Sequence, residues 1–210
     1  MEGRLRVVGI SGRMKSGKDF TANYISELFL NDLKRYNIEG TVYIESFANP
    51  LKNMLINTFG FKHDDFYTQE GKAKYNELWG MTHREILQRT GTDAIRNNLH
   101  PDAWGFAMKN RLAEIKKKEE NKHILVLIPD VRFVSECKVI KEMNGNIIYI
   151  DRPYLVTTKM KIMEALHLVH PSEQPIPKRY RDFEIINNSS LDALKWKIKE
   201  IYEREELVFF

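Results

Sequence analysis

The chain alternates short apolar runs with longer stretches in which apolar residues return every three or four positions. Leu5 to Ser11 is apolar on both faces, the pattern of a central strand in a parallel sheet. Phe20, Tyr24, Ile25, Leu28, Phe29 and Leu33 then recur at helical spacing, predicting a helix over about 17–35 that Asn37 and Gly40 bring to an end. Thr41 to Phe47 alternates as a second strand. Pro50 suits the first turn of a helix running through Leu51, Leu55 and Ile56 to Phe59. Residues 61–81 lack a clean period and predict a loop with one short helix. Thr82 and Glu85 form a capping-box pair, opening a helix that carries Ile86, Leu87, Ile95 and Leu99 across an interruption at Gly91.

Beyond it, Asp102 caps a helix carrying Trp104, Phe106, Met108, Leu112 and Ile115. Ile124 to Ile128 reads as a buried parallel strand ended by Pro129-Asp130. Val134, Cys137, Ile140 and Met143 mark a helix stopped by Asn144-Gly145, and Ile147 to Ile150 is the fourth strand. Four prolines and several charges in 153–182 predict a mobile insertion rather than core. Phe183 to Ile186 is a fifth strand, and Asn188-Ser189-Ser190 caps a last helix with Leu191, Leu194, Ile198, Ile201 and Tyr202 on one face. The apolar tail Leu207 to Phe210 is expected to dock on the body or on a second subunit.

Strands alternating with helices, without an internal repeat, predict an α/β fold with a five-stranded parallel sheet and helices on both faces. Such sheets bind ligands at the carboxyl ends of their strands. Residues 12–19, Phe47-Ala48, Asp130-Val131-Arg132, Arg152 and Asn187-Asn188 all fall at such ends and are expected to converge on one cleft.

Composition narrows the class. The 210 residues suffice for one sizeable core, or one domain with an inserted lid. No apolar run approaches the ~18–20 residues that span a bilayer, and the first strand starts too early for a signal peptide, so no membrane partner is expected. A single cysteine, Cys137, cannot form an internal disulfide and suits a reducing, cytoplasmic setting. The net charge is +4 and the pI about 9.0. Basic and acidic residues are interspersed, as in Lys116-Lys117-Lys118-Glu119-Glu120, which reads as a solvated helix end rather than a nucleic-acid face. The excess charge admits nucleic-acid binding and, equally well, a moderately basic cleft for phosphorylated small molecules.

The stretch Gly12 to Asp19, GRMKSGKD, fits G-x-x-x-x-G-K between a strand and a helix, the context of a phosphate-binding loop. Gly12 and Gly17 let backbone N–H groups approach phosphate oxygens, and the following helix adds its positive end. Lys18 would reach the β- and γ-phosphates. Asp19 stands where a serine or threonine hydroxyl usually faces magnesium; its carboxylate offers a hard oxygen instead. Lys15 and Arg13 offset the added negative charge. The candidate triphosphate site comprises Gly12, Lys15, Ser16, Gly17, Lys18, Asp19 and Phe20.

Asp130, after a buried strand, has two open readings: a second magnesium carboxylate, or an N-cap for the next helix. Arg132 is either a phosphate clamp or a surface arginine. The glycine in Gln88 to Arg96 asks for close approach of a ligand or marks a helix corner. Trp104 is core or a base platform, and Tyr67, Tyr75 and Trp79 either stack a base or pack a loop. Arg152, Lys159, Lys161, Lys178, Arg179 and Arg181 flank or lie in the insertion, where phosphoryl transfer would use a closing, cation-bearing lid.

Together, GRMKSGKD, Phe47-Ala48-Asn49-Pro50-Leu51-Lys52, Leu87 to Asp93, Asp102-Ala103-Trp104, Asp130-Val131-Arg132-Phe133 with Glu136, and His170-Pro171-Ser172-Glu173 resemble phage-type deoxynucleoside monophosphate kinases. The blocks follow that family's order from about residue 7 to 195. The resemblance implies a single NMP-kinase-like P-loop domain with an acceptor segment over about 48–110 and a lid over about 153–182. It also implies ATP and Mg2+ as cofactors, a deoxynucleoside monophosphate as small-molecule substrate, a homodimer, no stable nucleic-acid binding, and the host cytoplasm if phage-encoded. Lys18, Arg132 and Arg152 are the expected catalytic cations, and Asp19 and Asp130 the expected metal carboxylates. Lys52, Gln88, Thr92, Arg96, Trp104, Arg132, Ser172 and Glu173 are expected at the acceptor. The Lys-Asp pair and the Asp-x-Arg also resemble animal-type phosphomevalonate kinase; the Thr-Gly-Thr-Asp segment and the aromatics favour a nucleobase. A third reading is a P-loop nucleic-acid-binding protein, with salt-sensitive DNA binding.

Overall fold

A strand sits in the middle of a parallel sheet only if both its faces are apolar. β1 (Leu5–Gly12) meets that condition, with Val7, Val8 and Ile10 all buried. The computed structural model describes residues 4–155 and 174–204. In it β5 (His123–Val131) and β6 (Asn146–Asp151) pair with the two edges of β1. β2 (Gly40–Ile44) lies outside β5, and β7 (Phe183–Ile186) outside β6, giving the order β2-β5-β1-β6-β7 with every pairing parallel. The chain leaves β1 toward β2 on one side and later crosses to β6 on the other. The order therefore reverses beside β1, where open α/β sheets form their ligand crevice.

The chain divides into two compact units, one of residues 1–46 with 111–210 and one of residues 47–110. In the first, α1 (Lys18–Tyr36) and α8 (Leu191–Arg204) share a core cluster with Val8, Ile10, Leu125, Leu127 and Ile148. Ala22, Ile25, Phe29 and Leu33 of α1 form the buried stripe that 3.6-residue periodicity demands. Burying each of the large ones contributes about 1.5–3 kcal/mol. α7 (Val134–Glu142) packs on β1 and β6 through its own buried side, Cys137 and Ile140 included.

The second unit holds α2 (Asn49–Phe59), α3 (His63–Tyr67), α4 (Gln69–Ala73), an antiparallel pair β3 (Tyr75–Asn76) and β4 (Met81–Thr82), and α5 (His83–Gln88). A π-helix (Arg89–Asn97) continues α5, and α6 (Ala103–Lys118) starts here and ends in the first unit. The expected loop over 61–81 is therefore structured. Phe61 and Phe66 are buried and meet the ring of His83, so a small aromatic centre orders a stretch too short for periodicity to register.

Two strand ends differ from expectation. β2 stops at Ile44 rather than Phe47, although Glu45 N–H still donates to Leu127 O at 2.9 Å. β5 does not stop at Pro129 but runs on to Val131. Its register against β1 shifts between Gly9↔Ile128 and Ser11↔Val131, so β5 carries one extra residue there. Such a bulge accommodates Pro129, which has no N–H to give to the ladder. The insertion over 153–182 also departs from a wholly mobile segment at its end: Ile176 is buried, and Arg181 holds its carbonyl with Nε and Nη2 at 3.0 and 2.6 Å. Residues 156–173 and 205–210, with the lid motif and the apolar tail, lie outside the described residues.

Candidate active site

The loop after β1 is shaped by residues with left-handed backbone. Gly12 has φ 147°, and a Cβ there would stand 2.4 Å from Ile150 O, so only glycine lets β1 pair with β6 to its end and then turn. Lys15 (φ 64°) and Gly17 (φ 111°) continue the curl, which turns successive N–H groups into an anion-binding concavity. Ser16 N–H donates to Arg13 O at 3.1 Å, and Lys18 Nζ spans the loop to Arg13 O at 2.7 Å. Behind it α1 starts, with Thr21 bonded to Gly17 O through N (2.9 Å) and Oγ1 (3.0 Å), and presents its positive end to the loop. The Ser16 side chain is fully buried, and its Oγ has no hydrogen-bond partner among the described residues. Asp19 is exposed in the first turn of α1, while the Phe20 ring packs on the core and stacks on Tyr24.

Two side chains from distant strands brace this loop. Arg152, just past β6, donates Nη1 to Lys15 O at 3.0 Å. Asn187, just past β7, donates Nδ2 to Ser16 O at 2.8 Å. Ser46 Oγ donates to Asp130 Oδ2 at 2.5 Å, and Asp130 is not the N-cap of α7, a place taken by Phe133. Buried Glu136 accepts from the N–H of Arg132 (2.7 Å) and of Phe133 (3.0 Å), which fixes the backbone that carries the Arg132 side chain. A narrow crevice is lined by residues 11–14, 131–132 and 174–175, so Arg132 opens onto the same space as the loop. At the end of β2, Glu45 accepts from Arg111 Nε at 2.8 Å, and this bond raises the guanidinium pKa further above its usual value.

In the second unit, Lys52 Nζ sits 4.2 Å from the centroid of the Tyr67 ring, a cation–π distance. The same ring stacks on His63 with centroids 4.0 Å apart and gives its hydroxyl to Asn49 Oδ1 at 3.4 Å. Trp79 packs edge-on to Phe59 and against Phe61, whereas Tyr75 is exposed. Gln88 ends α5 where the π-helix begins. A Cβ on Gly91 would meet Leu51 Cδ2 at 2.6 Å, so the close approach that requires this glycine is made by α2. Trp104 is buried with Nε1 donating to Gly91 O at 2.9 Å. Thr92 and Arg96 are buried, with Arg96 Nη1 on Pro101 O at 3.1 Å. π-Helical turns are rare and recur at functional sites.

Comparison with known proteins bears on this arrangement. The family model for deoxynucleotide monophosphate kinases matches residues 62–198. The chain belongs to the deoxynucleotide monophosphate kinase family. A protein of Acanthamoeba polyphaga mimivirus, assigned by name as a deoxynucleotide monophosphate kinase, is 31% identical over 198 residues, covering 89% of this chain and 90% of its own length. The deoxynucleoside-5'-monophosphate kinase of Escherichia phage T5 is 26% identical over 125 residues, 58% of this chain and 46% of that protein. Among solved structures, dephospho-CoA kinase from Campylobacter jejuni overlaps 96% of this chain and 98% of its own with a TM-score of 0.48 at 16% identity. An APS kinase from Mycobacterium tuberculosis with AMPPNP and APS gives a TM-score of 0.43 at 14% identity, covering 96% and 99%. Overlap at this level adds nothing to the strand order, on which the fold stands.

Within this kinase-family chain, the structure gathers the expected donor-side residues Gly12, Lys15, Ser16, Gly17, Lys18 and Arg152 around one loop, with Arg132 on the adjoining crevice. Gln88 lies on α5, Thr92 and Arg96 on the π-helix and Trp104 on α6, all in the second unit, and Lys52 stands on α2 of the same unit. Ser172 and Glu173 lie outside the described residues. Sequence reasoning missed Ser46, Glu136 as the holder of Arg132, and the contact that makes Asn187 part of the loop. The available signals were the place of Glu136 in the block with Asp130 to Phe133 and the position of Asn187 at a strand end. Among the described residues no three His, Cys, Asp or Glu side chains gather into a ligand set, and no helix is long and apolar enough to cross a membrane.

Proposed function

We propose that this chain transfers the γ-phosphoryl group of ATP to the 5'-phosphate of a deoxynucleoside monophosphate, yielding the diphosphate. The observation that carries the reading is the curled loop Gly12–Asp19, with Lys18 spanning it at the N-terminus of α1, in a member of this kinase family. N–H groups of the loop and the Lys18 ammonium would hold the β- and γ-phosphates, and Arg132 would neutralise charge on the moving group. The acceptor is already an oxyanion near neutral pH, so no general base is required. Gln88, Thr92, Arg96 and Lys52 would bind the monophosphate, and Arg152 supports the loop through Lys15 O.

Magnesium fits the donor set. It takes one or two carboxylates and completes its shell with water and phosphate oxygens. Asp19, exposed in the first turn of α1, and Asp130, oriented by Ser46, supply hard oxygens of that kind. Held by these carboxylates, magnesium would supply positive charge that offsets the negative charge of the phosphates. The test is ADP release measured with each dNMP, the matching NMPs and phosphomevalonate, for the wild type and Lys18→Ala. Release with dNMPs that disappears in a folded Lys18→Ala protein is expected. Retained transfer in that variant, or activity with phosphomevalonate alone, would overturn the assignment.

A further inference from the structure

Asn187 is 171 residues away from Ser16, yet the two meet. Its backbone N–H donates to Asp151 O at 2.7 Å, adding a rung to the β6–β7 ladder and holding the residue in place. Its side-chain amide donates to Ser16 O at 2.8 Å and lies so close to the loop that a Cβ on Gly17 would be 3.1 Å from Nδ2. In a trans peptide the carbonyl and the following N–H point in opposite directions. Holding Ser16 O toward β7 therefore turns Gly17 N–H away from β7. The preceding peptide is pinned at both ends, with Lys15 O on Arg152 and Ser16 N–H on Arg13 O. The peptide between Ser16 and Gly17 borders a glycine at φ 111°, the residue type that resists a peptide flip least.

We propose that Asn187 is a positioning residue for the phosphate loop, which by fixing the Ser16 carbonyl aims Gly17 N–H at a bound phosphate oxygen. This rests on the reading of the loop as the site of the ATP phosphates. It assigns to the last strand a part in donor binding that acts through the backbone of the loop. A donor is needed at this point because the atom to be held is a carbonyl oxygen. Aspartate, of the same size, offers only acceptors and would repel it.

The test is calorimetric binding of ATP, ADP, adenosine and a dNMP to the full chain, for the wild type, Asn187→Ala, Asn187→Asp and Lys18→Ala, with thermal melts of each. Asn187→Ala is expected to weaken ATP and ADP about tenfold, the scale of one hydrogen bond. Adenosine and dNMP affinities should stay within twofold. Asn187→Asp, nearly isosteric and therefore fit to fold where alanine is not, should weaken ATP at least as much. If both variants bind ATP within twofold of the wild type while Lys18→Ala does not, the positioning role is wrong and the reading of the loop stands. If adenosine weakens in step with ATP, Asn187 is merely structural and the proposal falls. If Lys18→Ala also binds ATP normally, the reading of the loop falls, and the proposal with it.

Discussion

Glu136→Ala isolates how one buried carboxylate holds the backbone of the candidate site. Oε2 of Glu136 accepts the N–H of Arg132 at 2.7 Å and that of Phe133 at 3.0 Å, from a side chain only 3% exposed. Hydrogen bonds to a charged group contribute about 1.5–3 kcal/mol each, so the pair lies at about 3–6 kcal/mol. Arg132 is exposed, and water can rehydrate its N–H in the variant, which favours the lower end, about 3–4 kcal/mol. For a chain of this size about 1 kcal/mol shifts the melting midpoint by about 2–4 °C, giving a fall of about 6–16 °C. Glu136→Gln keeps the shape and one acceptor oxygen but not the charge, and is expected at about half that loss. The assay is thermal unfolding followed by far-UV circular dichroism without ligand, with urea titrations to check that m is unchanged. A Glu136→Ala midpoint within about 2 °C of wild type would refute the reasoning.

Gly12→Ala places a methyl against the Ile150 carbonyl at a backbone angle alanine rarely adopts, so a loss of about 2–4 kcal/mol in urea unfolding is expected, and an unchanged midpoint would count against the described turn. Burial of His123, with Arg4 beside it, holds its imidazole below the usual histidine range, so on acidification the unfolded chain binds the proton first. Stability is therefore expected to fall as pH drops below about 6.5 toward the depressed value, and His123→Gln should lose that component when unfolding is compared at about pH 5 and about pH 7.5. Burial pushes the Cys137 thiol up to about 12, which leaves almost no thiolate. Labelling by a disulfide reagent is expected only in denaturant; rapid labelling of the native chain would contradict the packing around α7.

Much of this molecule was legible before its structure because burial and chain period are one-dimensional signals. Both sides of β1 are apolar because it is flanked by two strands and covered on both faces, and Ala22, Ile25, Phe29 and Leu33 repeat as a helix must. The phosphate loop is contiguous, and its glycines, lysine and following helix act over a few residues, so spacing alone identified it. Residues 61–81 failed that test because α3 and α4 are five residues each, and β3 and β4 two. Their order comes from Phe61, Phe66 and His83 meeting in space.

What the sequence determined by itself was the longer elements, the sheet class and the glycine-lysine loop between β1 and α1. Tertiary structure decided what each polar side chain is for. Trp104 read as core or a base platform and Gly91 as a ligand approach or a helix corner; in the structure one gives its indole N–H to the carbonyl of the other, and α2 fills the space a side chain on Gly91 would need. Arg152 and Asn187 were expected at a cleft beyond the strand ends, but their partners, Lys15 O and Ser16 O, became defined only when the order β1-β6-β7 brought both to the loop after β1. The physical reason is range. Apolar periodicity is set by the few neighbours along one element, whereas a hydrogen bond's partner is set by which strands lie side by side, a choice that depends on the packing of the whole sheet.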